Sequence, residues 1–422
     1  MGSSDEHLES QSEATQEATP GSVRQDTGGG QRSPRGQGGW REFIRPVREA
    51  YREARQKYER APRAIKVAVL ALIVALAALL PTFMPYLTSD ASYWTNILTK
   101  VGIAALLALG LNVVVGFAGL LDLGYVAFFA VGAYTFAILS GASRYSVAIQ
   151  NLQPNAASLK PEWHMYLWLF FFAALAVALV AGVILGAPTL RLRGDYLAIV
   201  TLGFGEIIRI TANNLNSIEG GPRGTLDIPH PEINAGGIHY AFGLHNGPYY
   251  YLLLAIIVVW IFLLRRLNDS RVGRSWAAIR EDELAAAAMG VSVVRMKLMA
   301  FAIGAAVASL GGVIYASQIS FISPDTFTLF NVSFGSVIIL AMVVLGGMGG
   351  IAGPIVGAAV IIFLPERFRV LGDARLLVFG FALVLVMVLR PQGLIPSRRR
   401  AAELSGGEIR DTSVFEARQG ST

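Results

Sequence analysis

The stretch RLRGDYLAIVTLGFGEIIR, residues 191–209, sets two arginines against a long apolar run that carries one acid and one base inside it. About 20 apolar residues in a helix cross roughly 30 Å of hydrocarbon. Arg191 and Arg193 then mark a membrane boundary, and Glu206 and Arg209 lie within the span. A central charge costs ~2.5–3.5 kcal/mol on insertion scales. Glu206 and Arg209 are three apart, share a helix face and can neutralise one another. Thr201, Gly203 and Gly205 precede them. The glycines permit either a helix break or a close backbone approach. Two readings stay open: an interior structural ion pair, or a polar stripe of Thr201, Gly203, Gly205, Glu206 and Arg209 beside a translocation path.

Working outward, the rest of the chain has the same character. Of 422 residues, 54% are hydrophobic and 15% charged, against ~25% charged in soluble domains. The charges crowd into short segments. A soluble multidomain protein is excluded, and an all-α polytopic membrane protein is expected. Apolar runs follow at 65–84, 96–117, 119–140, 164–186, 195–212, 249–264, 298–317, 332–346, 351–364 and 375–390. That predicts about ten transmembrane helices, or eight to ten, since several runs are short and interrupted by glycine. Residues 1–39 are rich in Ser, Gln, Gly, Glu and Thr and read as a disordered tail. Residues 40–64 read as a basic amphipathic helix on the cytoplasmic side, suited to anionic membrane lipid. Residues 65–397 form the transmembrane domain, and 398–422 a cytoplasmic tail.

The basic residues orient the chain. With a cytoplasmic N-terminus and ten spans, 27 of the 35 Lys/Arg lie on the cytoplasmic side and six on the other. This is the positive-inside bias, and it places both termini in the cytoplasm. The net charge of +6 is therefore an orientation signal and does not point to nucleic acid.

Several chemistries are excluded or unsupported. There are no cysteines, so thiol catalysis and disulfides are absent. None of the five lysines follows a glycine, so there is no phosphate loop of the form GxxxxGK[ST]. The five histidines show no metal-binding spacing. No nucleophile–base arrangement stands out, so neither a cofactor, nor a metal site, nor a catalytic residue is expected.

Three further segments carry information. The loop 213–248 is polar, rich in Gly and Pro, and the longest extracytoplasmic stretch, so it reads as a binding surface or a cap over the pore. The loop 265–297 is cytoplasmic by the charge rule. Trp276 through Met289 read there as one short helix ended by Gly290, suited to dock into a groove on a cytoplasmic partner. Two Gly-rich regions, 119–134 and 345–358, lie in opposite halves of the chain and suggest related halves around a central path. Asp122, in the first, is either a hairpin residue at the cytoplasmic rim or a path residue. An ion-coupled transporter acting alone would need membrane-embedded acids, for which Asp122 and Glu206 are the candidates.

Taken together, these segments resemble the LivM-type permeases of bacterial ATP-binding-cassette importers for branched-chain amino acids. GDYLAIVTLGFGEIIRI followed by GGPRGTLDIPHP is similar to that family's signature. GRSWAAIREDELAAAAMGVSVVRMKLMAF resembles its coupling segment, and VVLGGMGGIAGPIVGA its late Gly-rich span. The likeness covers roughly residues 65–397. It implies an importer permease fold in the bacterial cytoplasmic (inner) membrane and a non-catalytic subunit. It implies a LivH-like second permease, two cytoplasmic ATPase subunits and a periplasmic amino-acid-binding protein as partners. Coupling to the ATPase would fall to Ala278, Arg280, Glu281, Asp282, Glu283, Ala285, Ala286 and Gly290. Gly220, Gly221, Pro222 and Gly224 would face the binding protein. Importers of urea and short amides use similar permeases, so the likeness fixes the family more tightly than the substrate.

Overall fold

A computed structural model describes residues 63–87, 90–151, 153–159, 167–189, 195–235, 238–368, 374–389 and 393–395. The tail 1–39, most of the 40–64 segment, the Arg191/Arg193 pair and the tail 398–422 lie outside the described residues. The chain divides into two units, residues 1–70 and 71–422. In the first, the described part is the start of helix α1 (Arg63–Leu87).

The second unit is helical, with two short hairpin-like sheets. After α1 come α2 (Ala91–Asn112), α3 (Val126–Leu139), α4 (Ala142–Gln150), α5 (Leu167–Thr189), α6 (Asp195–Asn214) and the single turn α7 (Asn216–Glu219). Strands β1 (Thr225–Leu226), β2 (Glu232–Ala235) and β3 (Ile238–Ala241) follow, then α8 (Asn246–Asp269), α9 (Arg271–Glu281), α10 (Glu283–Ala288) and α11 (Val293–Ile319). Strand β4 (Phe321–Ile322), α12 (Ser336–Gly346), α13 (Ala352–Arg367) and α14 (Ala374–Leu389) complete the order. A helix lies on each of the ten apolar runs. Among the described residues, four helical stretches are long and apolar enough to cross a membrane by themselves: Ala91–Phe117, Trp168–Ala187, Asn246–Asp269 and Val293–Ile319. The pair α3–α4, bent by 79° at Gly141, counts as a fifth if it is one broken span.

The 119–140 run departs from the single helix expected. α2 continues into a π-helical turn, Val113–Phe117, the chain then runs irregularly from Ala118 to Tyr125, and α3 begins only at Val126. We call residues 118–125 the strap. Gly119 holds φ +73° there, a left-handed conformation that ends a helix and favours glycine. Irregular backbone at membrane depth is tolerated where protein covers it, and the strap is covered: Ala118, Leu120, Asp122 and Tyr125 are all buried.

α11 lies at the centre, packed on α2, α3 and α5. In lipid the apolar effect does not drive helices together, so close packing and hydrogen bonds must do it. α11 supplies both. A Cβ placed on Gly312 would overlap the Phe129 carbonyl of α3, and one on Gly132 would overlap the Ser309 carbonyl of α11. Ser309 Oγ donates to Ala174 O of α5 at 3.0 Å, and Tyr125 Oη donates to Gly304 O at 3.1 Å. Around this crossing, Phe129, Tyr315, Phe327 and Phe334 form an aromatic cluster with ring centres 5.3–5.8 Å apart. The late Gly-rich region works alike. A Cβ at Gly357 of α13 would overlap Met342 O of α12. Asn112 at the end of α2 clamps the turn between these helices, accepting Gly349 N–H at 3.0 Å and donating to Gly350 O at 2.8 Å.

The 213–248 segment holds more structure than a polar loop. α7 and a 3-10 turn (Gly221–Arg223) lead into β1, which pairs antiparallel with β4, and β2 pairs antiparallel with β3. Ser146 of α4 brackets β1: its hydroxyl accepts Leu226 N–H at 2.6 Å and donates to Leu226 O at 2.8 Å. Ser320 Oγ donates to Ile228 O at 2.8 Å. The segment is therefore tied down at both α4 and the end of α11.

Candidate functional site

α6 is unbroken from Asp195 to Asn214, so of the two options that Gly203 and Gly205 leave open, the helix uses close approach. A Cβ at Gly205 would touch Gly124 Cα at 3.4 Å, and one at Gly124 would overlap the Thr201 carbonyl. The strap and α6 thus meet backbone to backbone at Gly124. Thr201 pins the contact. Its hydroxyl accepts Leu123 N–H at 3.1 Å and donates to Ala198 O at 3.0 Å. Gly203 differs: a Cβ there meets nothing within 4 Å, because it opens onto a cavity.

That cavity has a volume of about 370 Å³ and is lined by Asp122, Gly124, Phe128, Leu185, Val200, Thr201, Gly203, Phe204, Ile207 and Phe301. It brings together residues from the strap, α3, α5, α6 and α11. Asp122 Oδ1 accepts Gly124 N–H at 2.9 Å. Its Oδ2 is buried and makes no hydrogen bond among the described residues. The side chain is 1% exposed. Phe128, Leu185 and Phe301 were not candidates from the sequence, since aromatic and aliphatic residues in a span carry no mark of what they face.

Glu206 and Arg209 form the ion pair their spacing predicts. Arg209 Nε donates to Glu206 Oε1 at 2.9 Å, and Nη2 contacts the same oxygen. Arg209 Nη1 also lies 3.9 Å from Asp325 Oδ1, next to β4. Both partners are partly exposed, so this pair sits at the edge of the α6 packing and outside the cavity lining.

The expected single helix 276–289 is two. α9 ends at Glu281, and Asp282 caps α10: its carboxylate accepts Leu284 N–H at 2.8 Å and Ala285 N–H at 3.0 Å. This is a capping residue at the start of a helix, a signal that the Ala-rich run concealed. Gly290 has φ +83°, the left-handed stop expected of it. α9 is fixed to the body of the protein. Trp276 is fully buried and its Nε1–H donates to Met296 O at 2.7 Å. Arg280 Nη1 donates to Gly116 O at 2.8 Å, a carbonyl of the π-helical turn that leads into the strap. Glu283 is not turned outward: it pairs with buried Lys297 of α11 at 2.8 Å. Ala286 is buried, and Ala278 and Arg280 are half-buried. The exposed face carries Glu281, Asp282, Ala285 and Gly290, with Leu284 (65% exposed) and Met289 (85%) standing out as apolar. Leu284 and Met289 were missed by sequence reasoning, which weighed the charges and the glycine.

In the 213–248 segment, Gly220 and Gly221 are buried while Pro222 is exposed. Gly224 is buried too, its carbonyl accepting Gln150 Nε2–H at 2.9 Å. Most of this group shapes the turn, and Pro222 and Arg223 reach the surface. His230 is occupied structurally, with Nδ1 2.8 Å from Tyr249 Oη and Nε2 3.0 Å from Ser320 Oγ. Burial lowers its pKa. Among the described residues no cluster of three or more His, Asp or Glu is placed to hold a metal.

Comparison with known proteins gives this geometry a context. Residues 93–389 match the family described as branched-chain amino acid transport system / permease component. The high-affinity branched-chain amino acid transport system permease protein LivM of Salmonella typhimurium is 39% identical over 344 residues, covering 77% of this chain and 75% of that protein. LivM of Escherichia coli is 39% identical over 341 residues, covering 76% and 74%. The probable LivM of Methanocaldococcus jannaschii is 27% identical over 334 residues, covering 72% and 93%. No solved structure matches. With the apolar helices from α2 onward, the strap and the paired short helices in the matched region, this multi-pass membrane protein belongs to the family of permease components of branched-chain amino acid transport systems.

Proposed function

We propose that this chain is the transmembrane permease subunit of an ATP-binding-cassette importer, and that it carries leucine, isoleucine and valine into the cytoplasm of a bacterium across the inner membrane. The observation that carries this reading is the pair α9–α10, a compact unit between two spans whose exposed apolar knob, Leu284 and Met289, has no use in a conduit acting alone. Such a knob suits a groove on a cytoplasmic partner. On this reading α9–α10 and Gly290 dock on one of two ATPase subunits, which hydrolyse the ATP that this chain has no loop to bind. A LivH-like permease completes the path, and a periplasmic binding protein delivers substrate to the face that carries Pro222. The ten apolar runs span the membrane with both termini in the cytoplasm, as the bias of basic residues supports.

Transport follows by alternating access. A ligand or partner shifts a two-state element only through contacts that differ between the states. Here ATPase movement reaches α9, and Arg280 passes it to Gly116, whose π-helical turn is continuous with the strap. Asp122, Thr201, Gly203, Gly205 and Glu206–Arg209 are assigned to the neighbourhood of the path. The test is uptake of radiolabelled leucine in cells with and without the chromosomal copy, with co-purification of ATPase subunits on the tagged chain. Uptake that depends on the chain and copurifying ATPase are expected. Chain-dependent uptake by the purified chain alone, driven by an ion gradient, would overturn the reading.

A further inference from the structure

The corner between α8 and α9 gathers four arginines within residues 265–274, Arg265, Arg266, Arg271 and Arg274, against one acid, Asp269. All five residues are exposed. Among the described residues, none of the four arginines pairs with a carboxylate. The corner is held rigidly. Ser270 Oγ accepts Gly273 N–H at 3.3 Å and donates to Leu267 O at 2.6 Å, and a Cβ on Gly273 would overlap the Asn268 carbonyl. Arg274 Nη1 donates to Asp269 O at 3.0 Å, which brings a guanidinium of α9 back to the last turn of α8. Just before the arginines, α8 turns Val259, Phe262 and Leu263 outward and buries Ile261 and Leu264. α8 is long and apolar enough to cross a membrane, so this outward apolar face meets lipid chains.

Arg266 joins the basic corner to the apolar face. Its guanidinium carbon lies 5.3 Å from the centre of the Phe262 ring, a cation–π distance. A basic residue that only marks the membrane boundary keeps its charged head in water. This one lies back along its own helix, over the apolar face, which holds the charge at the depth where lipid phosphates meet hydrocarbon. Arginine is always charged, and its planar fork matches the oxygens of a phosphate. A cluster of basic residues at a membrane edge attracts anionic lipid. A choline headgroup would bring a cation against four like charges, while a glycerol headgroup leaves the phosphate charge unopposed. Asp269 is the one charge at the corner that repels it. We infer that the α8–α9 corner binds the phosphate of an anionic phospholipid, with Arg265, Arg266 and Arg274 on the headgroup and Phe262 and Leu263 against its acyl chains. The site does not depend on what the protein carries. It lies at the root of α9, the helix whose Arg280 reaches Gly116, so a bound lipid steadies the corner from which α9 starts.

The chain has no cysteine, so a single fluorophore can be placed by substitution. Leu263→Cys is labelled with bimane in the full-length chain and reconstituted into mixed bilayers of phosphatidylcholine and phosphatidylglycerol, with brominated acyl chains on one lipid or the other. Bromine quenches on contact, so the two quenching curves read which headgroup adjoins the corner. Phosphatidylglycerol is expected at this label about fivefold above its share of the bilayer, the scale of one basic residue at an anionic surface. A label at Phe381→Cys, on the exposed face of α14, is expected to read the bulk ratio. The triple variant Arg265→Gln, Arg266→Gln, Arg274→Gln, built in the Leu263→Cys chain, is expected to return to the bulk ratio. Millimolar inorganic phosphate is expected to leave the preference in place. The bulk ratio at Leu263→Cys, equal enrichment at Phe381→Cys, or enrichment that survives the triple substitution would each overturn the assignment. Loss of the preference in phosphate would overturn it too, by marking a site for soluble anions. If the triple variant fails to insert, the comparison of the two labels and the phosphate arm still decide. Loss of ATPase co-purification in the triple variant, with no lipid enrichment in its parent, would give the corner to a protein partner instead.

Discussion

Glu219, at the end of α7, shows how far one side chain can depart from what its type suggests. It is 2% exposed. Its Oε2 accepts the Thr225 hydroxyl at 2.9 Å, while Oε1 is buried without a partner among the described residues. Burial raises its carboxyl from 4.5 to about 7, with the Thr225 hydrogen bond opposing. The folded state therefore holds the proton more tightly than the unfolded state, so stability falls as pH rises from about 4.5 to 7 and levels off above that. The loss is on the order of 3 kcal/mol at most. Melting of the purified chain is expected at a lower temperature at pH 8 than at pH 5, and Glu219→Gln is expected to remove that contribution and stabilise the protein at pH 8. An unchanged pH dependence in Glu219→Gln would contradict it. Nothing in the order of residues marked this one out. Glu206 and Arg209 were legible because their partners are three residues apart. Glu219 is buried in part by α4, which packs on α7 from some 70 residues earlier, and one sequence does not disclose such a meeting.

At the scale of elements, the pair α9–α10 divides its residues between an exposed face and the body of the protein. The resemblance puts Glu283 among the coupling residues, and in the structure it pairs with Lys297, whose side chain is 5% exposed. Removing one partner of such a pair leaves a buried charge uncompensated, at a cost of about 3–5 kcal/mol for fully buried pairs. Glu283→Gln is thus expected to lower the melting temperature and the membrane level of the chain. Met289→Asp, at an exposed position, is expected to leave both unchanged while abolishing leucine uptake and ATPase co-purification. Equal stability loss in the two variants would refute the division. Gly290 and the Ala-rich run announced that a short helix stood here. The break at Asp282 was also written in the sequence, as a capping residue before Glu283-Leu-Ala-Ala, but alanine's high helix propensity pointed to continuity.

For the whole molecule, the apolar runs located the helices well because each helix needs its own apolar length. The starts were less legible. The 119–140 run loses its first residues to the strap, since Gly119 and Gly124 answer to backbone geometry and to α6 and not to hydropathy. The order of packing was not legible at all. Small residues on α11 announce that something comes close, and only the fold shows that α3 and α5 do.

The hydrogen bonds that knit the core join residues remote in the chain. Asn112 reaches Gly349 and Gly350, Val126 N–H donates to Ser336 Oγ at 2.9 Å, and Tyr125 reaches Gly304. Every one of them ties the chain before α5 to the chain after it, and helices in a bilayer insert first and associate afterwards. Covalent continuity between α4 and α5 is then dispensable. A gene split there and expressed as two polypeptides is expected to reassemble, each half copurifying with the other and together restoring leucine uptake, whereas Asn112→Ala in the first half weakens the reunion that the peptide bond otherwise conceals.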